Sequence, residues 1–165
     1  PDVEFINDMD NSRIEAILNN DYYKELLNSI EIAEINREFC RHGMDHCADV
    51  ARVAYILNLE KGYNIPKDII YATALLHDIG RGSDNHNVKS AEIADIILQE
   101  ASFNSFEIEM IKDAILHHRH SDVSDKEMLA DIISRADRYS RKCFECKVAN
   151  QCYWDDNDKN TYLQY

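Results

Sequence analysis

"ALLHDIGRG", residues 74–82, sets His77 and Asp78 side by side directly after a run of apolar residues. Counting back along a helix, Ile70 and Ala74 share a stripe with His77, and Asp78 lies one step round from it. Two polar groups are thus turned toward the interior. Burying an imidazole and a carboxylate costs several kcal/mol unless partners satisfy them, so the question is what those partners are.

The same arrangement recurs in four other segments. Val50, Val53 or Ala54, and Leu57 form a stripe that runs back to His46. Ile97, Ile93 and Ser90 lead back to His86, and Ile108, Ile111 and Ile115 lead forward to His118. Ala130 and Ile133 lead to Asp137. A lone histidine on an apolar face is usually a satisfied core residue. Five stripes that each end or begin on His or Asp point instead to a shared divalent cation, and mixed imidazole and carboxylate donors suit Fe, Mn, Zn or Ni.

The rest of the chain reads as helical. Its 165 residues fit one domain, with only two prolines and four glycines and no convincing alternation of apolar and polar residues. Helices are expected over 12–19, 21–40 with Asp21 as cap, 45–59, and from the turn at Pro66 to Asp78. Further helices are expected over 87–100, 105–118, and from a cap at Ser124 or Asp125 to Arg141. "DDNDKN" reads as a solvated tail. A net charge of −13 without a basic stripe argues against long nucleic acids as partners but leaves room for a small anion held by local cations. No apolar run reaches the roughly 18 residues of a membrane span, and no signal-peptide pattern is present. A cytoplasmic protein with reduced thiols is therefore expected, its five cysteines being an odd number. The sequence opens at Pro1 rather than Met, which leaves room for residues before it.

The order His46, then His77-Asp78, then Asp137 resembles the signature of the HD-domain superfamily of metal-dependent phosphohydrolases. "HCADVARVA" resembles the family's first helix, "ALLHDIGR" its second and "ISRADRYS" its last, so the likeness runs over about residues 38–142. It implies an all-α helical bundle in which residues 1–37 pack on an HD domain of 38–142, and 143–165 form a cysteine-containing extension. It also implies that His46, His77, Asp78 and Asp137 bind a first metal. "HNVKSAEIA" and "AILHHR" resemble segments that supply a second metal in some members, through His86 and through His118, with His117 as the alternative. A one-metal site, with His86 and His118 on substrate phosphate, remains the other reading. Fe and Mn are the foremost metals, ahead of Ni, Zn or Mg.

The activity implied is hydrolysis of a small phosphate ester or anhydride, a nucleotide above all, by a hydroxide held on the metal. Asp78 would accept the water's proton. Arg81, Lys89 and Arg119 are the candidate phosphate contacts, and His86, His118 and Arg119 stand near the leaving group. His42 and His120 lie off the stripes, with His42 able to reach the site as an outer group. Di-iron oxygenases with the same ligands are the main alternative, followed by a non-catalytic ligand-binding or signalling protein. A cyclic-dinucleotide phosphodiesterase ranks lower, because "HHRHSDVS" lacks the "GYP" element of that subgroup.

"CFECKVANQC" adds Cys143, Cys146 and Cys152 beyond the resemblance. A Cys-x2-Cys step is half of a common zinc site, Cys40 is a possible fourth donor, and an iron–sulfur cluster is also chemically open. Packed, reduced thiols are the plain alternative.

Overall fold

In a computed structural model the described residues are 11–118 and 128–165, and they hold seven α-helices and no strand. These are α1 (Ser12–Leu18), α2 (Asp21–Ala33), α3 (Met44–Lys61), α4 (Lys67–Leu76), α5 (His86–Glu100), α6 (Ser105–His117) and α7 (Met128–Tyr139). The all-α expectation holds. Among the described residues no helix is long and apolar enough to cross a membrane.

The architecture turns on α4. Its sequence KDIIYATALL is apolar on nearly every side, and Ile69, Ile70, Ala72, Thr73, Ala74, Leu75 and Leu76 are all buried. A helix without a polar face has to be surrounded. Accordingly α1, α3, α5, α6 and α7 all pack against α4, α3 pairs closely with α7, and α5 with α6. Buried polar groups on these helices are satisfied locally. The Thr73 hydroxyl donates to the Ile69 carbonyl at 2.7 Å, and the Tyr23 hydroxyl reaches the Leu75 carbonyl at 3.1 Å.

Several helix ends differ from the expectations. Asn20, not Asp21, caps α2, accepting from the Tyr23 N–H at 3.0 Å. The helix stops at Ala33 rather than Cys40, because the apolar stripe of Tyr23, Leu27 and Ile30 has run out and Ile32 and Ile35 face solvent. Side chains at that end serve the loop instead. Glu34 accepts from the His42 N–H and Glu31 from the Met44 N–H, both at 3.0 Å. Pro66 is the cap residue of α4, not part of its first turn. That helix ends at Leu76, so His77 and Asp78 stand in the turn just beyond it. Helix α5 starts one residue early, at His86, and α7 ends at Tyr139. The caps expected at Ser124 or Asp125 lie outside the described residues. The tail is not wholly solvated: buried Asn160 donates to the carbonyls of Arg138 and Arg141, both at 2.7 Å.

Candidate metal centre

The helices place the five stripe ends at one end of the bundle. His46 sits in the first turn of α3, His77 and Asp78 just past α4, His86 at the first position of α5, His118 just past α6, and Asp137 in the last turn of α7. Each stripe residue named from the sequence is buried, so the stripes do lead inward to these groups. Gly80 lets the loop after Asp78 lie flat on α5. A Cβ there would stand 2.5 Å from the Ser90 nitrogen and 2.8 Å from the His86 oxygen. The Gly80 N–H donates instead to the buried Ser90 hydroxyl at 2.9 Å.

Donor atoms of His46, His77, Asp78 and Asp137 all lie within 4.8 Å of one another. His46 Nε2 is 2.8 Å from Asp137 Oδ1, while His77 Nε2 is 3.1 Å from Asp78 Oδ2 and 3.7 Å from Asp137 Oδ1. The ring orientations are fixed from behind. His77 Nδ1 donates to the Ala74 carbonyl and His118 Nδ1 to the Ile115 carbonyl, each at 2.6 Å and each three residues back. Both imidazoles therefore carry a proton on the backbone side and turn Nε2 toward the centre. Among the described residues, the buried His77 Nε2, Asp78 Oδ1 and His118 Nε2 have no hydrogen-bond partner. Buried donors and acceptors left open in this way are uncommon, and bound cations would satisfy them. The donor set fits a divalent ion.

The electrostatics agree. Burial pushes the His77 imidazolium toward losing its proton, but Asp78 and Asp137 outweigh it and hold its pKa well above the ordinary value. Burial likewise raises both carboxyls, and the neighbouring imidazoles overcome it, keeping Asp78 and Asp137 below the usual carboxylate range. The site is thus built around positive charge, which a proton on His77 supplies in part and a divalent cation supplies in full. His118 differs. Burial, helped by His77, lowers it to about 4, so it is neutral near pH 7. His42, bonded through Nδ1 to Glu34 at 2.7 Å, stacks edge-on beside His46 with centroids 5.8 Å apart. It touches the group from outside, as expected.

A cavity of about 580 Å³ opens on this group and is lined by Asp78, Asp137, His86 and His118. Arg81 lines it too, with Nη1 3.9 Å from Asp78 Oδ1. His118 rather than His117 faces it, since His117 bonds back to Asp113 on the flank of α6. Lys89 does not reach it. The inward position of that turn is taken by Ser90, and Lys89 points out to pair with Glu92 at 3.8 Å. Arg119 and His120 lie outside the described residues. The structure adds cations that the sequence reading missed: Arg37, Arg135, Arg138 and Arg141 share the wall, with the aromatic rings of Phe39, Tyr153 and Trp154. "SRADRYSR" already carried the signal, for three arginines flank Asp137 within a turn or so on either side.

The HD domain family model matches residues 43–142. An uncharacterized protein of Clostridium beijerinckii is 40% identical over 158 residues, covering 93% of this chain and 99% of its own length. An uncharacterized protein of Methanocaldococcus jannaschii is 34% identical over 80 residues, 47% of this chain and 43% of its own. No solved structure matches. With more than half its length matched, and with the His and Asp residues of the matched region gathered into one cation-ready group, the chain belongs to the HD-domain superfamily of metal-dependent phosphohydrolases.

Proposed function

We propose that this chain hydrolyses a phosphate ester or anhydride of a small anionic substrate, a nucleotide being the best fit, with one or two divalent cations held by His46, His77, Asp78 and Asp137. The observation that carries this reading is the wall of five arginines around a cavity lined also by Asp78 and Asp137 of that donor group. In a chain of net charge −13 such a cluster of guanidinium groups favours an anion, although Asp78, Asp131 and Asp158 in the same lining already meet three of them. Three aromatic rings in the same wall give a flat apolar surface for a base.

Bound there, a divalent cation supplies Lewis acidity and makes water a usable nucleophile at neutral pH. The chain's residues do the rest. Asp78 offers its open Oδ1 to the proton of the attacking water. Arg81 stands beside it to meet the phosphoryl oxygens, and the four other arginines neutralise charge further out. The orientation of His118 bears on the number of cations. Its Nδ1–H is spent on the backbone, and its neutral Nε2 has only a lone pair to give. It therefore cannot donate to a phosphate or a leaving group. A second cation beside Asp78 and His86 suits it better, with Fe or Mn the foremost candidates.

The test is metal content of untagged protein purified without oxygen, followed by a phosphate-release screen over nucleotides with Mn or Fe. Turnover is expected, and Arg81→Ala should raise KM about tenfold or more with the metal content unchanged. Oxygen uptake in place of phosphate release would overturn the reading in favour of a di-iron oxygenase.

A further inference from the structure

The C-terminal extension, residues 143–165, poses a problem of stability. It contains two single-turn 3-10 helices, Cys143–Glu145 and Ala149–Gln151, and no longer element. Its one buried residue is Asn160, and it gives no side chain to the apolar core. Phe144, Tyr153, Tyr162 and Leu163 are all exposed. Short segments without a core of their own are held by disulfides or by metal. No disulfide is formed, for the five cysteines are all free.

Four of those cysteines meet at one place. The first 3-10 turn closes with the Cys146 N–H on the Cys143 carbonyl at 3.1 Å, and the second with the Cys152 N–H on the Ala149 carbonyl at 3.3 Å. Cys40 arrives from the loop between α2 and α3. That loop is tied to the start of the extension by Arg141, whose Nη1 donates to the Arg41 carbonyl at 2.5 Å, and Arg37 holds the Cys40 carbonyl at 2.8 Å. Cys40, Cys143, Cys146 and Cys152 are all half-buried and line a single cavity of about 540 Å³. The Cys40 thiol is raised by burial and also feels each of the other three thiols. Cations face them: Arg141 acts on Cys40, and Lys159 on Cys152 and Cys143.

The spacing separates two kinds of occupant. A tetrahedral zinc with Zn–S bonds of about 2.3 Å would draw its sulfurs to about 3.8 Å from one another. Among the described residues, the donors gathered within 4.8 Å of each other are those of His46, His77, Asp78 and Asp137, and no cysteine trio joins them. A cubane iron–sulfur cluster binds each thiolate to a separate iron and keeps the sulfurs wider apart. Either centre is an anion once four thiolates bind, which the facing Arg141 and Lys159 would offset.

We propose that Cys40, Cys143, Cys146 and Cys152 bind one [4Fe–4S] cluster that fastens the extension to the α2–α3 loop. The thiols bind as thiolates and release their protons, with no change in the chain's covalent structure. The cysteine site does not depend on what the His and Asp centre binds. The two sites are neighbours, since Cys40, Cys152, Arg141, Phe39 and Trp154 line both cavities. Loss of the cluster would therefore loosen one wall of the arginine-lined cavity.

The experiment is iron and acid-labile sulfide per chain on untagged protein purified without oxygen and, if needed, reconstituted with ferrous iron and sulfide. About four sulfides per chain and a broad visible absorption near about 400 nm are expected. Both should vanish in Cys146→Ser and persist in Asp78→Ala, which separates the cluster from the His and Asp centre. Should Cys146→Ser fail to fold, the wild-type protein still decides: four cysteines should resist alkylation until the iron is chelated. A stoichiometric zinc without sulfide would overturn the proposal, as would sulfide-free protein after reconstitution or four freely alkylated thiols.

Discussion

His77 and His118 solve the same problem in the same way. Each follows the last turn of a helix, gives its Nδ1 proton to the carbonyl three residues back, and turns Nε2 inward. Asp78 completes the group, with Oδ1 left open and buried. Asp78→Ala should therefore lose the bound cation on dialysis and lower turnover by more than about 100-fold, read as metal per chain and initial rate. Retention of both would remove Asp78 from the site. A second prediction concerns pH in metal-free protein. Burial, outweighing the bond to Glu34 in His42 and aided by His77 in His118, holds both imidazoles at about 4 in the fold. Between about 6.5 and about 4 the unfolded chain takes up protons that the folded chain refuses, so stability falls as pH falls through that window. His77 acts in another window. Its raised value contributes stability in full below about 6.5, lost as the pH rises through the folded value. Thermal unfolding of chelator-treated protein should show Tm dropping from about pH 6.5 downward, and a flat profile would mean that both imidazoles are charged in the fold. Most of these residues were legible in the sequence because each terminates an apolar stripe. Arg135, Arg138 and Arg141 had a signal in "SRADRYSR", but an arginine near a helix end reads the same whether it faces solvent or a cavity, and Arg37 had none.

At the scale of elements, the helices were readable and their ends less so. The apolar periodicity of α3, α5 and α6 located them to within a residue or two, and the capping box of Asn104 and Glu107 marks the start of α6. The expected helix over 21–40 failed for a tertiary reason: the apolar stripe of Tyr23, Leu27 and Ile30 ends, and Glu34 takes a partner in the loop before α3. The turn after Asp78 is the most demanding junction. Gly80 is needed there for closeness to α5, not for an unusual dihedral angle. Gly80→Ala must push α5 away at Ser90 and His86, costing about 1–3 kcal/mol as overpacking does. Chemical denaturation would read that loss, and a weaker affinity for added Mn would show that the displaced His86 belongs to the site. An unchanged stability would mean that the loop has slack.

Over the whole molecule, charge is distributed unevenly. The chain carries −13, yet one cavity gathers five arginines. An anionic substrate is repelled at long range and attracted once inside. Salt screens the first effect more than the second, because the cavity is partly shielded from solvent. KM for a nucleotide should therefore stay level or fall when salt is raised from about 50 to about 200 mM, where a basic protein would lose affinity. A steep rise in KM would place the anion on the outer surface instead. The global sign of the charge was plain from the sequence; the local gathering of arginines depends on which helix ends meet, and that is a property of packing.

One further feature reaches beyond the site. Arg13 on α1 forks between Asp68 at the start of α4 and Glu107 at the start of α6, and lies 4.1 Å from the Phe103 ring centroid. Its guanidinium is thus already occupied by the kind of carboxylate that a trypsin-like protease uses to grip its substrate. The bond between Arg13 and Ile14 can be cut only when α1 has come away from the bundle. Survival of that bond under limited digestion is a built-in gauge of how firmly the first helix is docked, and its cleavage would precede any damage to the centre.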